Sequence, residues 1–165
     1  MSTMLTSTPT ARTLILGVGS PLMGDDAVGV LVAEALQARS DLPPGVDVID
    51  GGTEGFGLIP VIEAYSRVII VDAAQVGLPP GSIRRFTWGD IRVTANEHSL
   101  SLHQGGLNDA LALAEVLGCL PAELIFYGVQ PEQVAWDAPL SEAVSRALPA
   151  LIEGVLGELN GIAAG

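Results

Sequence analysis

Short apolar runs alternate along this chain with longer amphipathic ones. TLILGV at 13–18 reads as a buried parallel strand that runs into a turn. The loop SPLMGDD follows. AVGVLVAEALQAR, from Ala27 to Arg39, then has helical spacing, with Asp25 and Asp26 in front, where carboxylates favour a helix start. The pattern recurs. VDVID at 46–50 predicts a second strand, GGTEGFG a loop and LIPVIEAY a short helix, and residues 68–73 predict a third buried strand. LPPGS at 78–82 is a turn, and IRRFTW at 83–88 alternates enough for a more exposed strand. A helix is expected from near Ser101 to near Gly118, a strand over ELIFYGV at 123–129, and a closing helix over SEAVSRALPALIEGVLGELN, bent at Pro149.

Strands alternating with helices predict an α/β fold: a single three-layer sandwich whose mostly parallel, twisted sheet is covered by helices on both faces. At 165 residues the chain is long enough for one such core. We place a single domain over 13–160, with the polar, Thr-rich residues 1–12 as a flexible N-terminal tail. That start lacks the basic, apolar and small-residue succession of a secretory signal. No run reaches the roughly 20 apolar residues of a membrane span.

Charge narrows the function classes. The formal net charge is -12, with no lysine and seven arginines. Too few cations are present for the basic face that nucleic acid requires, and anionic membranes are disfavoured on the same ground. An acidic surface suits a basic partner or a cation, but on charge alone simple solubility is the better account. One cysteine, Cys119, excludes an internal disulfide and fits a reducing compartment, so a cytoplasmic location is expected.

In a parallel α/β sheet the ligand crevice lies outside the carboxyl ends of the strands. Asp25 and Asp26 follow the first strand, the second ends at Asp50, the third at Asp72, and His103 opens the helix after the fourth. Gathered carboxylates repel one another unless a cation or a shared proton neutralises them, which predicts a metal. Oxygen and imidazole donors without thiolate suit zinc, nickel, manganese or iron. Each residue also has a plainer role. Asp25 or Asp26 can cap the helix, Asp72 can cap a βα turn, Asp50 before two glycines reads as turn chemistry, and His103 can be a surface histidine. His98 competes with His103; five residues apart, the two fall on opposite faces of a strand. GVGSPLMGDD lacks the third glycine of a dinucleotide fingerprint and the lysine of a P-loop, and it puts carboxylates where phosphates would sit. No GxSxG elbow or HExxH helix is present, and Cys119 in VLGCLP reads as inert packing.

The segments GVGSPLMGDDAVGV, DGGTEG, VIIVDAAQVGLPPG, HSLSLHQGGL and YGVQPE, in this order, resemble the hydrogenase maturation peptidase family from about residue 13 to 155. The resemblance implies an α/β sandwich, a monomer, and an endopeptidase that removes the C-terminal extension of a NiFe hydrogenase large-subunit precursor after nickel insertion. It carries the family's three metal-reading positions onto Asp26, Asp72 and His103, as both the catalytic and the metal set. The family has Glu or Asp at the first position, and Ser20 stands where Asn is common. The metal implied is nickel supplied by the substrate, with other divalent ions such as zinc able to take its place in vitro.

With no activated serine or cysteine, water must attack the scissile carbonyl. Either a metal on these three residues activates the carbonyl or the water, or the residues dock onto nickel already held by substrate cysteines. We favour the second, because it explains how processing waits for metal insertion. The alternatives are a non-catalytic nickel-binding chaperone for hydrogenase assembly, using the same residues, and a nucleotide-binding module, which the missing lysine disfavours.

Overall fold

A computed structural model of the chain describes residues 12–94, 101–102 and 106–160. The tail expected over 1–12 lies outside this range except for Arg12, which is anchored and not frayed. Its carbonyl accepts from the Ser66 and Arg67 N–H groups, and its guanidinium pairs with Asp47.

Six strands form among the described residues, β1 Thr13–Val18, β2 Val46–Gly52, β3 Arg67–Gln75, β4 Ile83–Thr87, β5 Ser101–Leu102 and β6 Glu123–Val129. The sheet order is β2-β1-β3-β6-β4, with β5 paired to the end of β3. The first four neighbours run parallel, β4 is an antiparallel edge on β6, and β5 is antiparallel to β3. All six residues of β1 are buried because it is covered on both faces and paired on both sides, which is why it reads as an unbroken apolar run.

Side-chain alternation divides the core into two layers. Leu14, Leu16, Val68, Ile70 and Phe126 pack against α2 (Ile59–Glu63) and α4 (Leu107–Leu117) through Ile62, Leu107 and Leu111. Ile15, Ile69, Val71 and Ile125 face the other way, against Val28, Val32 and Leu36 of α1 (Val28–Gln37) and Val144, Leu151 and Val155 of α5 (Glu142–Gly157). This is the three-layer sandwich the sequence predicts.

Several boundaries differ from expectation. Trp88 does not end β4 but opens an unforeseen helix, α3 (Trp88–Thr94). Its start is a capping box: the Thr87 hydroxyl accepts from Asp90 N–H at 3.4 Å while the Asp90 carboxylate accepts from Thr87 N–H at 2.8 Å. The helix expected from Ser101 begins only at Leu107, because Ser101–Leu102 pair with β3 and Gly106, at φ 89°, adopts a left-handed turn. Asp72 lies inside β3 and not at its end, since pairing with β6 and β5 carries that strand on to Gln75. α5 passes through Pro149 and remains helical to Gly157.

Candidate functional site

The chain leaves β1 towards β2 on one side, whereas β3 lies on the other side and its chain continues towards β4 and β6. Such a reversal opens a crevice at the carboxyl ends of β1 and β3. A 3₁₀ turn, Gly24–Ala27, crosses this point on its way into α1. Glycines fix its height. A Cβ on Gly29 would stand 2.3 Å from the Val71 carbonyl oxygen and 2.4 Å from that of Val18, so α1 rests on the backbones of β3 and β1 together. Gly19, at φ 129°, lets the backbone pass where a Cβ would lie 2.0 Å from the Asp26 carbonyl oxygen.

The two adjacent carboxylates then part company. Asp25 is fully buried and saturated. Its Oδ2 accepts from Glu132 N–H at 2.8 Å, Gln133 N–H at 3.0 Å and the Ser141 hydroxyl at 2.8 Å, and its Oδ1 from Ser141 N–H at 2.7 Å. Burial works to raise its pKa, but these donors, all favouring the anion, outweigh it and hold the carboxyl below its ordinary 3.8. Asp26 is 5% exposed. Its Oδ2 accepts from Ser20 N–H at 2.9 Å, and its Oδ1 is buried without a hydrogen-bond partner. Neither carboxylate caps α1, and the 3₁₀ turn has no side-chain cap. The expectation that one of them merely caps the helix is therefore corrected. Asp25 is an internal clamp on the 130–141 segment, and Asp26 keeps an oxygen for another partner.

Asp72 is 1% exposed and sits opposite Gly128 in the middle of the sheet, so it is no turn cap. Alternation puts it on the face of Ile70 and Ala74, towards α4. Val71, its neighbour, is the residue on which Gly29 rests, which brings the Asp26 turn and Asp72 to the same crevice. Asp50 is exposed and its Oδ1 accepts from Gly52 N–H at 2.9 Å, with Gly52 at φ 53°. This is the turn chemistry anticipated for it. The register beside it slips from Gly17↔Asp50 to Val18↔Gly52, a bulge at Gly51 at the rim of the crevice.

His98 and His103 lie outside the described residues. The described neighbours of His103 are Leu102, paired with Ala74, and Gly106, whose backbone lies 3.8 Å from where a Cβ on Gly55 would be. Among the described residues no three His, Cys, Asp or Glu side chains gather into a metal group, so Asp26 and Asp72 alone do not make one. Cys119 is half-buried after the C-terminus of α4 and is not a core residue as expected. Burial, with the charge of Glu63, raises its thiol pKa, which disfavours the thiolate.

Sequence reasoning missed the clamp role of Asp25. Ser141 before the amphipathic run at 142–157 signals a helix cap, and its hydroxyl does accept from Val144 N–H at 3.3 Å. Nothing in the letters says that this same hydroxyl is donated to a carboxylate 116 positions earlier. No helix among the described residues is long and apolar enough to cross a membrane.

Comparison with known proteins converges on one family. The family model for hydrogenase maturation protease (HycI) matches residues 30–158. The hydrogenase 2 maturation protease of Escherichia coli is 34% identical over 150 residues, covering 90% of this chain and 91% of its own. The hydrogenase expression/formation protein HupD of Rhizobium leguminosarum is 34% identical over 146 residues, covering 88% of this chain and 72% of its own. In three dimensions the chain is similar to the hydrogenase maturating endopeptidase HybD of E. coli, with a TM-score of 0.78, 34% identity, and coverage of 91% of this chain and 93% of that one. The peptidase descriptions disfavour the chaperone alternative.

Proposed function

Since the chain belongs to the hydrogenase maturation protease family and is accordingly a hydrolase of the endopeptidase class, we propose that it acts in the cytoplasm, as a monomer, on a NiFe hydrogenase large-subunit precursor, whose C-terminal extension it removes after nickel insertion. One observation carries the site assignment: two buried carboxylates stand at the β1/β3 switch point, and one of them, Asp26, has a buried oxygen without a partner. A buried acceptor left open is costly unless a ligand completes it.

In this reading Asp26, Asp72 and His103 complete the coordination of nickel that the precursor already holds. The nickel is part of the substrate. Its arrival fixes the segment that bears the scissile bond, so positioning supplies much of the rate and metal-free precursor is ignored. Water adds to the scissile carbonyl carbon, its proton passes to a carboxylate acting as general base, and that proton is delivered to the leaving amine as the C–N bond breaks. Cys119, raised in pKa and remote from the crevice, supports a route without a thiol nucleophile. Leu102, which precedes His103 in the chain, pairs with Ala74, two residues beyond Asp72 on β3.

The decisive experiment incubates the protein with nickel-loaded and nickel-free precursor and follows the C-terminal extension by mass spectrometry. Cleavage is expected for the loaded form alone, and it should be abolished by His103→Ala. Full activity of that variant would sink the assignment of His103, and equal cleavage of nickel-free precursor would sink the metal-reading mechanism.

A further inference from the structure

Four loops leave the carboxyl ends of the parallel strands: 19–27 after β1, 53–58 after β2, 76–82 after β3 and 130–141 after β6. Each carries one large exposed apolar side chain, respectively Leu22, Phe56, Leu78 and Trp136, the last 72% exposed. A scattered apolar side chain means nothing, but one on every loop around a single crevice is a pattern. The other large exposed apolar side chains among the described residues, Leu113, Val116 and Leu117, lie together on α4.

The loops are bound to one another. Gly19 N–H donates to the Gly52 carbonyl at 2.9 Å, and Asp137 N–H to the Leu22 carbonyl at 2.8 Å. The Gln130 side chain accepts from Val76 N–H at 2.9 Å, while its carbonyl accepts from Gly81 N–H at 2.8 Å. Together with the Asp25 clamp, these bonds join the 19–27, 76–82 and 130–141 loops to one another and tie the first of them to the end of β2, where the 53–58 loop begins.

Charge separates in the same direction. Asp50, Glu54, Glu132 and Asp137 are exposed on or beside these loops, which contain no arginine, lysine or histidine. Among the described side chains, Arg12 pairs with Asp47, Arg67 with Glu123 and Glu158, Arg85 with Glu158 and Arg39 with Asp41, none of them on these loops, while Arg84 stands two residues after the 76–82 loop. The described cavities, of about 310 and 200 Å³, are lined by Trp88, Leu120 and Glu123 and by Arg39, Leu42 and Leu156, none of them on these loops.

We propose that Leu22, Phe56, Leu78 and Trp136 form a docking rim around the crevice, and that it takes an apolar protein surface bordered by cations, presented by the precursor. The inference rests on the function proposed above. Trp136 and Phe56 are the anchors, since exposed aromatics supply most contact energy for little entropy. The acidic side chains set the rate of encounter and its dependence on salt.

The test measures KM and kcat on nickel-loaded precursor, with precursor binding by interferometry, for the wild type, Trp136→Ala, Phe56→Ala, their double variant, and Val116→Ala/Leu117→Ala on α4. All four positions are exposed, and unchanged melting temperatures will confirm folding. KM should rise about tenfold for either aromatic variant and more for the double, with kcat within about twofold. The α4 variant should match wild type. Glu132→Lys/Asp137→Lys should slow association about fivefold at low salt and flatten its salt dependence. Wild-type KM and Kd in the rim variants, or a loss confined to the α4 variant, would overturn the rim while leaving the peptidase reading intact. If wild type binds precursor but cuts neither form, the function falls and the binding arm alone judges the rim.

Discussion

Replacing Asp25 should unfold the protein more readily without touching its chemistry. Four donors converge on this carboxylate at 2.7–3.0 Å, three of them backbone N–H groups that cannot turn away. In Asp25→Asn one oxygen becomes an NH₂. If the amide replaces Oδ2 it faces two N–H donors, and if it replaces Oδ1 it faces Ser141 N–H, so either orientation sets donor against donor. The lost bonds to charge are worth roughly 1.5–3 kcal/mol each, and each stranded buried donor costs about 1–3 kcal/mol. Glu132 and Gln133 are exposed, so water can serve their N–H groups, whereas Ser141 is buried. The expected loss is about 2–3 kcal/mol for Asp25→Asn and about 3–5 kcal/mol for Asp25→Ala, against a total of about 5–15 kcal/mol. With a urea m-value near 2 kcal/mol/M, the Asn variant should shift the unfolding midpoint down by more than about 1 M. It should still cleave precursor when assayed cold, because both Asp25 oxygens are committed inside the protein. A midpoint within about 0.3 M of wild type, or full stability with lost cleavage, would refute the clamp and make Asp25 part of the reacting site.

Asp26→Asn should show the converse, a loss of cleavage of at least about 100-fold with the urea midpoint nearly unchanged, since only the Ser20 N–H bond is at stake; stability lost with activity kept would reverse the two roles. Gly29→Ala should fail to accumulate as folded protein, because its methyl would fall within 2.4 Å of two strand carbonyls, and near-ultraviolet circular dichroism like that of wild type would contradict this. Glu158 has its pKa pushed up by burial but pulled down further by Arg85, Tyr127 and Arg67, for a net fall below 4.5. Its contribution is therefore complete above pH 4.5 and lost as pH drops through the lower folded value. Glu158→Gln should be less stable at pH 7 and flatten the acid limb of a stability–pH curve, while an unaltered limb would disprove the linkage. The Tyr127 hydroxyl, which donates to Glu158 at 2.7 Å, is pushed up to about 12 by burial and that carboxylate, so no spectroscopic phenolate should appear below pH 10.

What the letters reveal about this fold follows from how local each cause is. β1, β3 and β6 are legible because burial on two faces gives each a continuous apolar run, and the end of α4 is legible because Gly118 takes a left-handed cap at φ 71°. α3 was missed although Thr87 and Asp90 spell its capping box, because the preceding alternation of IRRFTW favoured carrying the strand into Trp88. The extension of β3 beyond Asp72 depends on β5 and β6, partners that no window around residue 72 contains. Of the site, the two carboxylates are visible as acids after strands. Which of Asp25 and Asp26 stays open is decided by donors at 132, 133 and 141, contacts that only folding creates.

The place of β6 in the sheet bears on how this protein is made. Strand β6 is wedged between β3 and β4, although residues 88–122 separate it from the strand it finally holds at the edge. During synthesis, β3 waits with one flank bare and β4 waits with no partner until residues 123–129 leave the ribosome. Chains stalled or truncated before that point expose Val68–Val71 along an open edge and should be held by chaperones or lost to aggregation. Completion of the sheet then delivers the 130–141 segment to Asp25, so the crevice takes shape only in chains that have been read past Ser141.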